Sequence, residues 1–162
     1  MVRDEGQGKV GPGNALGQLV IEIFRLNGSL LAAGDKLADG LSLTSARWQV
    51  IGAIAVSERP LSVAQIGRAM GLTRQAVQRL VNELATDGLV TFDKNPDHLR
   101  AKFVVLTRDG KRAFRAVMTR QDRWAREVAA VTHLGDQRLR AMTFDLARLR
   151  RGVDAQMGEN AT

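Results

Sequence analysis

The sequence predicts a mainly α-helical fold that carries one small β-hairpin. Three observations lead there. Apolar residues recur every three or four positions through most of the chain, and the period drops to two only over LVTFDK (89–94) and AKFVVLT (101–107). Capping residues and glycines punctuate the helical runs, with Ser62, Thr73 and Thr107 at starts and Gly71 and Gly88 at ends. At 162 residues and 44% hydrophobic, the chain can bury a core as one domain or a close pair of lobes.

The elements follow in order. Residues 1–13, MVRDEGQGKVGPG, contain no apolar signal region and read as a flexible arm. Leu16, Leu19, Val20, Ile23, Leu26, Leu30 and Leu37 mark a long helix, with Asn14 as a candidate cap. A second helix spans about Thr44 to Ser57 with Trp48, Ile51, Ile54 and Ala55 on its apolar side, and Pro60 closes that segment. Ser62 with Gln65 three residues on is a capping-box pattern, opening a short helix whose inward residues are Val63, Ile66, Ala69 and Met70. Gly71 ends it, and Thr73 caps a second short helix with Val77, Leu80, Val81 and Leu84 inward. Two short capped helices joined by a glycine turn form a helix-turn-helix pattern. The hairpin follows at once, with NPDHLR at its tip. Thr107 caps a long helix, about Arg108 to Ala130, burying Phe114, Val117, Met118, Trp124 and Val128. HLGD interrupts it, with His133 expected as a surface or capping residue. A last helix runs from about Asp136 to Val153 with Leu139, Met142, Leu146 and Leu149 on one side, and residues 154–162 read as a frayed tail.

Composition excludes several function classes. With no cysteine, disulfides and thiol chemistry are out. A metal site would have to draw on His98, His133 and carboxylates, so none is expected, and no other cofactor is implied. No Ser-His-Asp set or phosphate-binding loop is evident, which argues against an enzyme. No apolar run approaches the roughly 18–20 residues of a membrane span, so a cytoplasmic protein without membrane attachment is expected. The net charge is +7 and unevenly spread. Residues 1–59 balance six basic against six acidic groups, whereas residues 60–112 carry nine against five. Residues 113–162 carry nine against six, and a basic surplus of this kind points to a polyanion partner.

With Val77 turned inward, the opposite arc of the second short helix carries Arg74, Gln75, Gln78, Arg79 and Asn82. Arginine matches guanine O6/N7 and glutamine matches adenine N6/N7, and a helix of this length fits the major groove of duplex DNA. Arginine and glutamine are also ordinary residues of solvent faces. The preceding helix, the glycine turn and the following hairpin single these out. Thr73 is a cap whose backbone amide is within reach of a phosphate. At the hairpin, Arg100 lies on the tip with Lys94 and Lys102 at its base, suited to the negative minor groove. Ser62, Gln65 and Arg68 on the first short helix are candidate phosphate contacts.

The run LTSARWQVIGAIAV…PLSVAQIGRAMGLTRQAVQRLVNELATDGLVTFDKNPDHLRAKFVVLTRDG resembles the multiple-antibiotic-resistance regulator (MarR) family of winged-helix transcription factors. GLTRQAVQRLVNEL is similar to that family's recognition helix, and VVLTRDG to its wing-to-helix junction. The resemblance covers about residues 14–153. It implies a winged helix-turn-helix DNA-binding domain over 41–112, dimerisation helices at 14–40 and 132–153, and a connecting helix at 113–131. It further implies a homodimeric repressor on a pseudo-palindromic operator in double-stranded DNA, released by a small aromatic effector. Phe24, Leu30, Trp48 and Met118 are the candidate effector pocket. One departure concerns the wing. Where the family has an Asp two residues before the tip Arg, and often a further Arg between them, this chain has His98 and Leu99, with Asp97 one place earlier. The competing function is a winged-helix module for protein–protein interaction without sequence-specific DNA binding. Steep inhibition by salt would mark DNA, since an apolar protein interface is nearly indifferent to it.

Overall fold

The computed structural model describes residues 12–41, 43–96 and 101–159. Its elements are α1 (Pro12–Ala38), α2 (Ser45–Ala55), β1 (Leu61–Ser62), α3 (Val63–Met70), α4 (Arg74–Thr86), β2 (Val90–Asp93), β3 (Phe103–Leu106), α5 (Arg108–Thr132) and α6 (Asp136–Glu159). The mainly helical architecture with a small sheet is the one expected. The chain divides into two units, one ending at Met118 and the other starting at Thr119.

In the first unit α2 is the central element, packed on α1, α3, α4 and β3. The fully buried side chains are Val50 and Ile51 of α2, Ile66 of α3, Val77, Val81 and Leu84 of α4, Val104 of β3 and Val117 of α5. Helix α2 starts at Thr44, whose hydroxyl accepts from the Arg47 amide at 3.3 Å. A second acceptor comes from α1, where Asp35 Oδ1 takes the Ser45 amide at 2.6 Å. Both satisfy amides that the first turn of a helix leaves without partners. Gly71 and Gly88 have φ of 65° and 70°, the left-handed conformation that ends α3 and follows α4.

The sheet differs from the expected two-stranded hairpin. Its order is β1-β3-β2, all antiparallel, with Leu61 opposite Val104 and Ser62 opposite Phe103. Two residues are too few to show a period, so β1 leaves no trace in the hydrophobic pattern. Thr107 ties the hairpin to α5. Its hydroxyl donates to Gly88 O at 2.7 Å and accepts from the Gly110 amide at 3.0 Å.

Four other expectations are corrected. Asn14 is not the cap of α1, because the helix already begins at Pro12, where a missing amide hydrogen costs nothing. Ala69 is exposed, since the inward stripe of α3 runs Val63, Ile66, Gly67, Met70 at spacings of three and four. Val128 is exposed rather than buried. The segment 154–159 is helical, because AQM are good helix formers and Arg150 reaches Asp154 at 3.2 Å. A fifth correction concerns α1. By length and composition, Asn14–Ala38 is long and apolar enough to cross a membrane, at a mean hydropathy of 1.2. Val20, Ile21, Ile23 and Phe24 between the leucines raise that mean. Glu22 and Arg25 stand together in mid-helix, where hydrocarbon would penalise both.

In the second unit α5 ends at Thr132, and His133, an exposed residue with φ of 53°, turns the chain towards α6. The expectation of a surface residue in a helix break fits this. Four ion pairs three or four residues apart line these helices, each on exposed side chains. Such pairs add a few tenths of a kcal/mol each, about 0.3–0.5.

Candidate nucleic-acid interface

The interface is built by burial. Val77, Leu80, Val81 and Leu84 of α4 all lie in the core, with Val77, Val81 and Leu84 at 0% exposure. Their spacing of three and four leaves the other side of the helix outside. Thr73, Arg74, Gln75, Arg79 and Asn82 are exposed there, and Gln78 is half-buried. Thr73 is the N-cap, its hydroxyl accepting from the Ala76 amide at 3.1 Å. Accepting that bond does not use the hydroxyl proton, so it and the open amides of the first turn are the donors at this helix end.

Helix α3 is held against α4 by a close approach. A Cβ on Gly67 would lie 2.9 Å from Leu72 O, so the turn between the helices requires glycine at that position. The capping box of α3 is formed. Gln65 Oε1 accepts from both the amide and the hydroxyl of Ser62, each at 2.8 Å. Ser62 is 8% exposed, lines the recess between α3, α4 and the hairpin, and gives its one hydroxyl proton to Gln65. Gln65 and Arg68 are exposed.

A recess of about 620 Å³ opens between α3, α4 and the base of the hairpin. Gln65 and Arg68 of α3, Arg74 and Gln78 of α4, and Lys102 before β3 all line it. Three cations from three elements thus converge on one concavity, a field suited to a phosphate backbone. Phe92 and Asn95 also line it, and sequence reasoning missed both. Strand alternation places Phe92 with the buried Val90, yet Phe92 lies past the edge of the core and covers the recess instead. The other candidates fall on a second, shallow depression along α4, lined by Gln75, Gln78, Arg79, Asn82 and Thr86, with Glu83 as its acidic member. Gln78 belongs to both. Lys94 is exposed beside the hairpin. Arg100 lies outside the described residues, as do Asp97, His98 and Leu99.

The candidate effector residues are placed less coherently. Trp48 and Met118 are half-buried, whereas Phe24 is 71% exposed and Leu30 is exposed with it, so the four do not enclose a cavity within one chain. Trp48 packs near α1 at Gly34, where a Cβ would come within 3.2 Å of the indole nitrogen. That nitrogen is buried and has no hydrogen-bond partner among the described residues.

Known proteins share this fold. A MarR-family model matches residues 40–101, the segment from just after α1 to the hairpin tip. An uncharacterized protein of Mycobacterium tuberculosis is 40% identical over 105 residues, covering 65% of this chain and 72% of that protein. Among solved structures, Staphylococcus aureus MarR in complex with salicylate and kanamycin superposes with a TM-score of 0.71 at 16% identity, over 86% of this chain and 93% of that one. The organohalide-sensing regulator RdhR in its 2,4-dichlorophenol-bound form gives 0.72 at 15% identity, over 94% and 89%. These structural likenesses concern the fold. The matched family model places the chain in the MarR family, and the structural likenesses agree with its winged-helix fold.

Proposed function

We propose that this chain is a sequence-specific DNA-binding repressor that acts as a homodimer on a pseudo-palindromic operator. The observation that carries the reading is the inward packing of Val77, Leu80, Val81 and Leu84, which leaves two arginines, two glutamines and an asparagine on the open side of α4. Arg68, Arg74 and Lys102 around the adjoining recess supply the phosphate-facing charge. Lys94, exposed beside the hairpin, extends that charge towards the wing.

Dimerisation is supported by unmet burial. Leu16, Leu19, Leu26 and Leu30 of α1 and Leu139, Met142, Leu146 and Val153 of α6 are all exposed in the single chain. Soluble monomers rarely leave apolar stripes of that extent open. A two-fold pair would present two α4 helices to successive half-sites, about one helical turn apart. Such a protein works where the DNA is, in the cytoplasm.

The effector is a small aromatic acid or phenol that releases the operator. Support comes from the salicylate and 2,4-dichlorophenol complexes of proteins sharing the fold, and from the unpartnered indole N–H of Trp48. The experiment that tests the whole reading is selection of bound fragments from random duplex DNA. An inverted repeat as consensus is expected. Enrichment of no sequence, with binding indifferent to salt, would instead favour a protein-interaction module.

A further inference from the structure

The amide of Gln78 is not free on the surface of α4. Its Nε2 donates to Asn82 Oδ1 at 2.9 Å. Residues four apart on a helix lie one above the other, so the bond runs along the helix face. Gln78 is half-buried beside Val77 and Val81, and Asn82 is exposed one turn further on. A glutamine side chain has three rotatable bonds and forfeits their freedom when it is fixed. Here part of that restriction is in place before any ligand arrives.

The inventory of the amide decides what remains. A glutamine amide has two N–H donors and one oxygen with two lone pairs. Asn82 takes one donor, and with the N–H anti to the carbonyl given to Asn82, the syn N–H and the carbonyl oxygen remain side by side. That remaining edge, one donor next to one acceptor, complements adenine, which offers N7 as acceptor and N6–H as donor in the major groove. Arg74 and Arg79, which flank Gln78, are donors only and match guanine or phosphate instead.

We propose that Gln78 reads an adenine in each half-site and that Asn82 is its positioning residue rather than an independent base contact. This rests on the DNA-binding reading above and deepens it. Asn82 holds the amide in the rotamer that presents the adenine-matching edge, so removing Asn82 loosens preference at the base pair read by Gln78 and nowhere else. A helix-stabilising role alone would predict otherwise. An exposed amide pair adds only about 0.2–0.5 kcal/mol to a helix, and its loss would leave base preference untouched.

The test uses the full-length protein and a set of duplexes that differ from the selected operator at single base pairs. Wild type is expected to prefer A·T at one position per half-site by about tenfold or more. Gln78→Ala removes that preference. Asn82→Ala reduces it several-fold at the same position, leaves the other positions unchanged, and adds nothing to the effect of Gln78→Ala in the double variant. Asn82→Asp keeps the accepting oxygen, so it restores the preference while its negative charge lowers affinity for all duplexes alike. Circular dichroism checks that each variant is folded, as expected for exposed helix positions. The proposal is overturned if Asn82→Ala shifts preference at a different base pair or at none. It is equally overturned if Asn82→Asp does not rescue, or if the Gln78-dependent position is not A·T. Failure of wild type to select any consensus is a separate outcome that removes the DNA-binding reading itself.

Discussion

Arg47 of α2 and Asp87, the residue that follows α4, form an ion pair across forty residues of sequence. The guanidinium is largely covered, with its side chain 13% exposed, whereas the Asp87 carboxylate is 42% exposed. Arg47 Nε is buried without a partner among the described residues, so Asp87 is the main compensation for that charge. A carboxylate at a helix C-terminus opposes the helix dipole, and Arg47 offsets the conflict. The pair therefore fixes the end of α4 to the central helix of its unit.

Asp87→Asn is expected to destabilise the protein by about 1–2 kcal/mol. A fully buried pair would cost more to break, about 3–5 kcal/mol, and the exposure of Asp87 lowers the figure through solvent screening. Urea unfolding followed by circular dichroism reads the change. A midpoint equal to that of wild type would mean the ion pair contributes nothing.

Gly110→Ala is expected to cost about 2–4 kcal/mol. A Cβ at that position would lie 2.0 Å from Leu89 O, a backbone atom that no rotamer change can move. The first turn of α5 would have to leave the hairpin, taking with it the Thr107 hydrogen bond to Gly88. Gly152 is a control within α6, because none of the described residues comes within 4 Å of its added Cβ. Gly152→Ala should be neutral or stabilising by up to about 1 kcal/mol, from helix propensity. Thermal melts of the two variants should move in opposite directions or differ by several degrees. Equal shifts would contradict the close approach at Gly110.

Arg74→Ala and Arg79→Ala should each weaken operator binding, by about 1–3 kcal/mol where the side chain contacts a base in bidentate fashion. They lie on different sides of α4, Arg74 in the recess with Arg68 and Lys102, and Arg79 in the shallow depression. Their salt dependences should differ accordingly. If Arg74 neutralises a phosphate, its removal lowers the salt slope by about 0.9, whereas removal of a base-reading Arg79 alters sequence preference more than slope. Gel-shift titrations at several salt concentrations separate the two. Wild-type affinity in both variants would remove α4 from the interface.

What is legible in the sequence follows from range. The caps at Ser62, Thr73 and Thr107, the left-handed Gly71 and Gly88, and the buried stripe of α4 are each set within two helical turns, so a local pattern reports them. The Arg47–Asp87 pair and the recess beneath Phe92 join residues distant in the chain, and no local pattern encodes that juxtaposition. The leucines of α1 illustrate a different limit. Their helical spacing is evident, but the same spacing serves a core within one chain or a seam between two. Only the exposure of Leu16, Leu19, Leu26 and Leu30 separates these, and exposure is a tertiary fact. Ser62 shows the converse, since its place at the start of α3 suggests a phosphate donor while its one hydroxyl proton is already given to Gln65.

Trp48→Phe is expected to leave stability within about 0.5 kcal/mol, because the aromatic packing is kept and the deleted N–H has no partner among the described residues. Effector affinity should fall by several-fold if the indole nitrogen donates to the ligand's oxygen. Calorimetric titration with salicylate compares the two proteins. Equal affinity would place the effector away from Trp48.

The exposed leucines set up the last prediction. An exposed leucine on a monomer tolerates a charge with little effect, within about 0.5 kcal/mol. A leucine in a two-fold seam does not, because the substitution places like charges across the paired helices or buries them without partners. Leu26 on α1 and Leu146 on α6 are both exposed in the single chain, at 50% and 41%. Leu26→Glu and Leu146→Glu are each expected to convert a dimer at micromolar concentration into a monomer by sedimentation, with the helical content of the winged-helix unit retained. Operator affinity should then fall steeply, since one α4 reaches only one half-site and the second α4 is no longer tethered to the first. A monomeric mass for wild type would remove the seam altogether. A wild-type dimer that both variants leave intact would move it to other residues, with Ile21 and Phe24 of α1 as the next exposed apolar group to substitute.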